Sequence, residues 1–514
     1  MNETTASAQL DSRKTAVLLV SVLVVALCGI TYELIIATVS SYLLGNSVYQ
    51  FSITIGLFMF AMGIGSYLTK RIEANLVERF IIIEIAVAII GGLSSVTLFV
   101  VFPYEAVYQS SMYLLIMVIG TLVGLEIPIL TRILSNRAAL KESIAHVLSI
   151  DYVGALIGSV SFPILLLPTM GLFRSSFAIG LLNIGVATVT IMAFGRSINR
   201  FNTLLATSVG GFVLLVVGML SAEHITHFAE SRLFSHAIIY RQQSEYQHII
   251  VTQNPHNKDL RLYLDYHIQF ASQDEHRYHE ALVHPVLCQP GKRENILILG
   301  GGDGLAAREV LKYADVKRID LVDIDPAITK LCNSLAPIRR LNGGSLDDPR
   351  VHIHHVDGFN FVRNTKENHF DRVIIDLPDP RNEALSKLYS VEFYKQLKKI
   401  TSDDHGFIVT QSSSPFFARE VFWCIAATFE EAGMDTFSYQ IPIPSFSIWG
   451  FTMVAVSGKV PTTFPLDDKK TRYLTQEVVA AGSAFGKDNV RTKQPANYLF
   501  GPVIYQLYQR SNNR

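Results

Sequence analysis

The residues of this chain best placed to do chemistry are acids at the ends of short apolar runs, and the first of them lies inside a glycine turn. Asn295 to Leu299 reads as a strand that breaks into Gly300, Gly301, Gly302 and Gly304, with Asp303 as the single charge among them. Glycines let the backbone bend tightly and approach a ligand closely, and the helix expected from Leu305 to Tyr313 aims its amides at the same place. A phosphate would suit those amides, but Asp303 would repel it. The ligand part beside Asp303 is therefore expected to be cationic, and a sulfonium nucleoside with a bare amine tail fits better than a dinucleotide. Asp323 follows about 20 residues after the turn, at the end of the run that begins at Arg318, where an acid can take two ribose hydroxyls. Asp357, followed by Gly358, ends the run Val351 to Val356, and Asp376 and Asp379 follow the run from Asp371.

Those runs, separated by helical stretches, predict an open α/β sheet, whose ligands bind at the carboxyl ends of the strands. An acid after a strand often only caps the next helix. Four strand ends in series that all carry acids instead describe one lined edge.

With Asp265 to Glu280 (DYHIQFASQDEHRYHE) ahead of GGGDG at Gly300 to Gly304, VDID at Val322 to Asp325, Asp357-Gly358, and DLPDP at Asp376 to Pro380, the chain resembles the spermidine synthases, or polyamine aminopropyltransferases. The resemblance covers roughly Tyr246 to Phe485, and the DLPDP form with a hydrophobic N-terminal half is similar to the bacterial membrane-fused branch. It implies transfer of the aminopropyl group of decarboxylated S-adenosylmethionine to a diamine, with putrescine the first expectation, giving spermidine and methylthioadenosine. Decarboxylated S-adenosylmethionine is then a co-substrate, and no separate cofactor or metal is expected. The resemblance also implies roles by position. Gln247, Asp323, Asp357 and Gly358 would hold the nucleoside; Tyr278, His279, Asp303, Asp379 and Gln411 would face the amine and aminopropyl groups; Asp376 would accept the proton.

The reaction suits carboxylates. The sulfonium leaving group is already activated, so the protein must supply a neutral amine in line with the carbon, although an aliphatic amine is mostly protonated below a pKa of about 10. A carboxylate can grip the ammonium and take its proton. Three departures from the family pattern concern the acceptor. Pro444 in Ile441 to Ser447 replaces a tyrosine that would help hold the diamine, Arg381 to Lys387 replaces a Gly-Pro loop that gates it, and Asp323 is shorter than the usual glutamate.

The rest of the chain is of another kind. Of its 514 residues 49% are hydrophobic, too many for one soluble domain, and the excess lies in the first 221. Apolar stretches at 15–38, 48–69, 81–102, 111–131, 146–168, 173–195 and 202–221 are each long enough to cross a hydrocarbon core of ~30 Å, so seven spans are expected. The first is too long for a signal peptide and lacks a small-residue cleavage site. Arg13, Lys14, Lys70, Arg71, Arg79, Arg132, Arg137, Lys141, Arg196 and Arg200 flank alternate ends of the spans, and only Arg174 lies in the opposite loops. Lysine and arginine bias places the N-terminus in the cytoplasm, which with seven spans puts the second half outside an inner (cell) membrane. Supply of a cytosolic co-substrate argues for the cytoplasmic side, and the two arguments conflict. Forty-four basic and 44 acidic residues cancel, which argues against nucleic acid as a partner. Cys28, Cys288, Cys332 and Cys424 have no metal-ligand spacing and read as free thiols.

Two other functions are compatible with parts of this pattern. An S-adenosylmethionine methyltransferase would share the sheet and glycine turn, but would set the methionine carboxylate against Asp303. A polyamine transporter or sensor would use Glu33, Glu126 and Asp151, ionisable groups inside apolar spans. Gly63, Gly65, Gly154 and Gly158 are expected to let helices pack closely.

The expected fold is a multi-pass helical membrane module fused to a Rossmann-like, methyltransferase-like α/β domain with a small β element ahead of it. The expected divisions are a tail at 1–14, a seven-helix module at 15–221, and a linker and β-rich element at 222–275, polar from Ser221 to Gln243. The aminopropyltransferase domain follows at 276–485 and a tail at 486–514. The β element, by resemblance, would assemble a homo-oligomer, and the lipid bilayer is the other expected partner.

Overall fold

The computed structural model describes residues 12–44, 47–102, 104–134, 140–195, 198–403, 405–467 and 469–512. Arg137, Arg196 and residues 1–11 of the expected N-terminal tail lie outside the described residues. By internal contacts the chain divides into two units, Met1–Ser235 and His236–Arg514.

The first unit is helical: α1 (Ser12–Leu44), α2 (Ser47–Leu68), α3 (Leu76–Val101), α4 (Glu105–Leu134), α5 (Leu140–Ser161), α6 (Leu167–Phe194) and α7 (Phe201–Leu233). Among the described residues six continuous runs are long and apolar enough to cross a membrane, so the seven expected stretches occupy six runs. The stretches at 146–168 and 173–195 share one run of 51 residues, Ile144–Phe194. A straight helix of that length would measure about 77 Å at 1.5 Å per residue, more than twice the thickness it would cross. It is not straight. A π-helical turn at Phe162–Leu166 precedes Gly171, which has φ 70° and ψ −179°.

Packing shows that the chain reverses there. α5 runs with α1, since a Cβ at Gly154 would fall 2.2 Å from the Leu23 carbonyl oxygen and one at Gly158 would fall 2.6 Å from that of Leu27. α6 runs against α1: Cys28 Sγ donates to the Ile179 carbonyl, and one turn further along α1 the Tyr32 ring packs on Gly91, whose carbonyl accepts from Ser176 Oγ. α5 and α6 are therefore antiparallel.

Glycines set the helix spacing, though not all those expected. A Cβ at Gly65 would lie 2.1 Å from the Thr121 carbonyl oxygen and one at Gly124 would lie 2.2 Å from that of Met62, whereas Gly63 has nothing within 4 Å and serves no close approach. Of the acids, Glu33 and Glu126 are buried and Asp151 is half-buried. Glu84 of α3, which the sequence reading passed over, is fully buried and interacts with Glu126 of α4.

The second unit opens with an antiparallel meander of β1 (Ala237–Gln243), β2 (His248–Gln253), β3 (Leu260–Leu264) and β4 (His267–Ala271). The expected linker at Ser221 to Gln243 is largely regular structure, because α7 runs to Leu233 and β1 begins at Ala237. Helix α8 (Glu275–Leu287) leads to a seven-stranded sheet of β5 (Asn295–Gly300), β6 (Arg318–Val322), β7 (Val351–His354), β8 (Arg372–Asp376), β9 (Phe407–Gln411), β10 (Asp435–Ile443) and β11 (Ser447–Ala455). Its order is β10-β11-β9-β8-β5-β6-β7, parallel from β9 to β7 with β10 and β11 antiparallel. Arg372 starts β8 fully buried, and its guanidinium donates to the carbonyls of Val286, Gln289, Pro290, Asp371 and His405, fastening the end of α8 to the strand.

Of the segment expected as a tail at 486–514, the described residues 486–512 are folded into this unit. The helix Ile504–Asn512 buries Ile504 and Leu507 in the core beneath β5 and β8, with Val373, Ile375 and Leu299. Asn497 is fully buried, donates to the carbonyls of Ser386 and Tyr389, and accepts from the amides of Val503 and Ile504.

Gly124→Val would force α2 and α4 apart at backbone contact, and overpacking of this kind costs about 1–3 kcal/mol. The full chain in detergent is expected to melt several degrees lower with Gly124→Val, while Gly63→Val leaves the transition in place; equal melting of the two variants would contradict this packing.

Candidate active site

Strand order creates the site. From β5 the chain passes to β6 and β7 on one side, then returns to β8 and β9 on the other, so a switch point opens between β5 and β8, where crevices form at the carboxyl ends of the strands. Gly300 pairs in register with Asp376, so the glycine turn and the DLPDP segment leave the sheet side by side. Gly300 has φ +81°, and a Cβ there would lie 2.1 Å from the Asp376 carbonyl oxygen, so no other residue fits. At Gly302 a Cβ would meet Asp323 Oδ2 at 2.4 Å.

A cavity of about 630 Å³ lies over this edge. It is lined by every residue that the sequence assigns to the nucleoside, the amine, the proton or the glycine turn except Gly304, which starts the helix Leu305–Val310 with φ +80° and packs on Leu346.

On one side stand the groups expected to meet a nucleoside. Asp323 accepts from the amides of Gly302 at 3.1 Å and Asp325 at 2.9 Å. Burial raises its pKa to about 6, against the pull of these two amides. Gln247 Nε2 donates to Asp325 Oδ2 at 2.9 Å, and Ser244 Oγ donates to the same oxygen at 2.7 Å. Asp325 also caps the helix Pro326–Ser334 through the Ala327 amide, so it ties the small meander to the large sheet. Sequence reasoning placed Asp325 only within a motif; the Asp-Pro at a helix start was the available signal. Asp357 caps the helix Gly358–Asn364 and accepts from Lys387 Nζ at 2.7 Å. Burial opposes its charge, but Lys387 and the Asn360 amide outweigh it and lower its pKa.

On the other side three acids converge. Asp303 accepts from the Leu305 amide at 2.9 Å; burial raises its pKa to about 6, and Asp376 and Glu275 add repulsion that His279 partly offsets. Asp376 Oδ1 accepts from the Tyr278 hydroxyl at 2.7 Å, and burial raises its pKa against His279 and that phenol. Asp379 Oδ1 accepts from Ser413 Oγ and, at 3.4 Å, from Gln411 Nε2; burial raises its pKa too. Gln411 is buried, and its amide also donates to the Leu377 carbonyl and to Tyr389 Oη, so it braces Asp379 from below.

The cation among these acids is His279. Burial alone would discharge it, but Glu275 beside Nδ1 at 2.9 Å, with Asp303 and Asp376 nearby, raises its pKa to about 9. Burial likewise opposes the Glu275 charge; His279 and the fork of Arg308, with both nitrogens at 2.9 Å, lower its pKa to about 2. Glu275 and Arg308 were missed from sequence, although Glu275 stands four residues before His279 on α8. Glu280, quoted in the same motif, faces away and accepts from the amides of Arg472, Tyr473 and Leu474.

The loop Arg381 to Lys387 crosses the cavity with an anchor at each end. Arg381 reaches Asp265 Oδ2 at 3.3 Å, and Lys387 holds Asp357. Pro444 offers no phenol, and Phe446 of the β10–β11 turn and Trp449 of β11 line the cavity.

A doubly wound sheet whose switch point carries a glycine turn and a set of cation-facing acids defines the class: an α/β enzyme for a nucleoside with a cationic tail. The spermine/spermidine synthase domain matches residues 275–466. The polyamine aminopropyltransferase of Leptospira interrogans is 40% identical over 97% of this chain and 99% of its own, and that of Oceanobacillus iheyensis is 40% identical over 95% and 96%. The crystal structure of a spermidine synthase from Thermotoga maritima covers 49% of this chain and 85% of its own, with 26% identity and a TM-score of 0.42. The chain belongs to the polyamine aminopropyltransferase family, and it is an aminopropyltransferase.

The His279–Glu275 pair makes stability depend on pH in a stated direction. His279, raised from 6.5 to about 9, contributes fully below pH 6.5 and loses its contribution as pH rises through about 9. Glu275, lowered from 4.5 to about 2, contributes above 4.5 and loses it as pH falls through about 2. The melting-temperature gap between the native chain and His279→Gln is expected to be widest between pH 4.5 and 6.5 and to close towards pH 9; a gap constant across that range would show that folding leaves the imidazole pKa unshifted.

Proposed function

We propose that this aminopropyltransferase moves the aminopropyl group of decarboxylated S-adenosylmethionine onto putrescine, giving spermidine and methylthioadenosine. One observation carries the reading: Asp303, Asp376 and Asp379 line one cavity with Asp323 across from them. Both substrates bring cations to such a site, the donor a sulfonium and an ammonium, the acceptor two ammoniums. Asp323 takes the ribose hydroxyls, Gln247, Asp357 and Gly358 hold the rest of the nucleoside, and Asp303 meets the donor ammonium. An intact methionine carboxylate at that position would be repelled, which disfavours methyl transfer.

In the reacting complex Asp376 grips the attacking ammonium. Tyr278 occupies Oδ1, which leaves Oδ2 for the proton. Burial raises the basicity of Asp376 towards that of its partner and so eases the transfer. The freed nitrogen lone pair attacks the propyl carbon next to sulfur, the C–N bond forms, and the C–S bond breaks with its electron pair passing to sulfur. Methylthioadenosine leaves as a neutral thioether. Asp379, braced by Gln411 and Ser413, holds the far ammonium. The apolar helices of the first unit are proposed to span a bilayer.

Asp376→Asn keeps shape and hydrogen bonding but removes the proton acceptor, so turnover is expected to fall by ~10²-fold or more while methylthioadenosine still binds. Near-normal turnover would move the proton acceptor elsewhere.

Asp303→Asn is expected to weaken decarboxylated S-adenosylmethionine by about 1.5–3 kcal/mol, with methylthioadenosine, which has no ammonium, little changed. Equal weakening in calorimetry would remove Asp303 from the amine contact.

A further inference from the structure

The C-terminal segment carries a side chain into the cavity that none of the sequence motifs includes. Tyr508, on the helix Ile504–Asn512, lines the cavity wall and hydrogen-bonds the Asp379 carboxylate. It lies beyond the matched domain, which ends at residue 466.

The helix is built into position. Asn497 accepts from the amides of Val503 and Ile504 at its start and donates at 3.0 Å to the carbonyls of Ser386, within the loop over the cavity, and Tyr389, just after it. Ile504, Tyr505 and Leu507 are buried, so the helix cannot turn Tyr508 out of the site without exposing them. Three neutral donors thus converge on Asp379: Ser413 Oγ, Gln411 Nε2 and the Tyr508 phenol. Hydrogen bonds donated to a carboxylate favour its ionised form and fix its direction. None of the three neutralises it, and Arg381, the cation that also acts on it, is engaged by Asp265, so its charge remains for a cation in the cavity.

We propose that Tyr508 is a positioning residue that sets the preference for a diamine, by orienting an anionic Asp379 towards the second ammonium of the acceptor. The proposal rests on the aminopropyl-transfer reading. A monoamine has no second ammonium and gains nothing from this arrangement. The Tyr508→Phe change removes only the hydroxyl and keeps the ring in place.

The test uses the purified full chain, methylthioadenosine release as the signal, and 1,4-diaminobutane beside butylamine as acceptors. In Tyr508→Phe the KM for the diamine is expected to rise roughly ten-fold or more, the loss of a hydrogen bond to a charged group, with kcat and the KM for the donor within about twofold. Butylamine turnover is expected to be unchanged. Calorimetry of 1,4-diaminobutane with methylthioadenosine bound should show the same loss without relying on turnover, and an unshifted melting temperature would show that the variant is folded. Equal effects on diamine and monoamine, or no effect on either, would overturn the assignment of Tyr508. If the native chain released methylthioadenosine with neither amine, the transfer reading itself would fall, and the proposal with it.

Discussion

Buried carboxylates that share one cavity are the constraint around which this catalytic unit is arranged. Asp303, Asp376 and Asp379 are each raised in pKa by burial, and Asp303 is raised further by Asp376 and Glu275. Burying like charges together is costly unless cations or donors meet them. The fold answers with a buried imidazolium in the cavity wall, His279, kept charged by Glu275, which Arg308 holds by a two-pronged contact. Phenol, hydroxyl and amide donors meet Oδ1 of Asp376 and Oδ1 of Asp379 without cancelling the charge. A cationic ligand completes the balance, and an anionic one worsens it.

This arrangement requires elements from distant parts of the unit to meet at one edge. Register between β5 and β8 sets Gly300 beside Asp376, and the absence of a Cβ lets the two strands' loops touch. Arg372, satisfied by five backbone carbonyls, locks β8 to α8, the helix that carries Tyr278 and His279. Ser244 and Gln247 reach from the small meander to Asp325, and Asn497 ties the last helix to the loop over the cavity. Each tie satisfies buried polar groups and fixes a wall of the site at once.

In the helical unit, packing depends on small residues. Carbonyl oxygens approach Gly65, Gly124 and Gly154 to distances that exclude any side chain, which brings α2 against α4 and α1 against α5. The same close contacts reveal the direction of each helix, and so the reversal between α5 and α6 that the continuous 51-residue run conceals.

The sequence by itself determined the two-part organisation, the open sheet and most residues of the cavity, because strand ends, glycine turns and apolar length are local signals that depend on neighbours along the chain. It also exposed the acids as a set, since each follows its own strand. What it left undetermined is pairing in space. Glu275 and Arg308 are separated by 33 residues, and their role in charging His279 exists only once α8 lies beside the helix Leu305–Val310. Gln411 reads as an amine contact, and only the tertiary structure adds its hydrogen bonds to the Leu377 carbonyl and to Asp379. Residues 486–514 look like a tail because they are polar and interrupted, yet Ile504 and Leu507 find the core and carry Tyr508 to the cavity. Gly63 and Gly65 are indistinguishable in sequence; only the packed neighbour decides that one is a contact and the other is not. Local chemistry is written residue by residue, whereas burial, repulsion and close approach depend on groups brought together only by the fold.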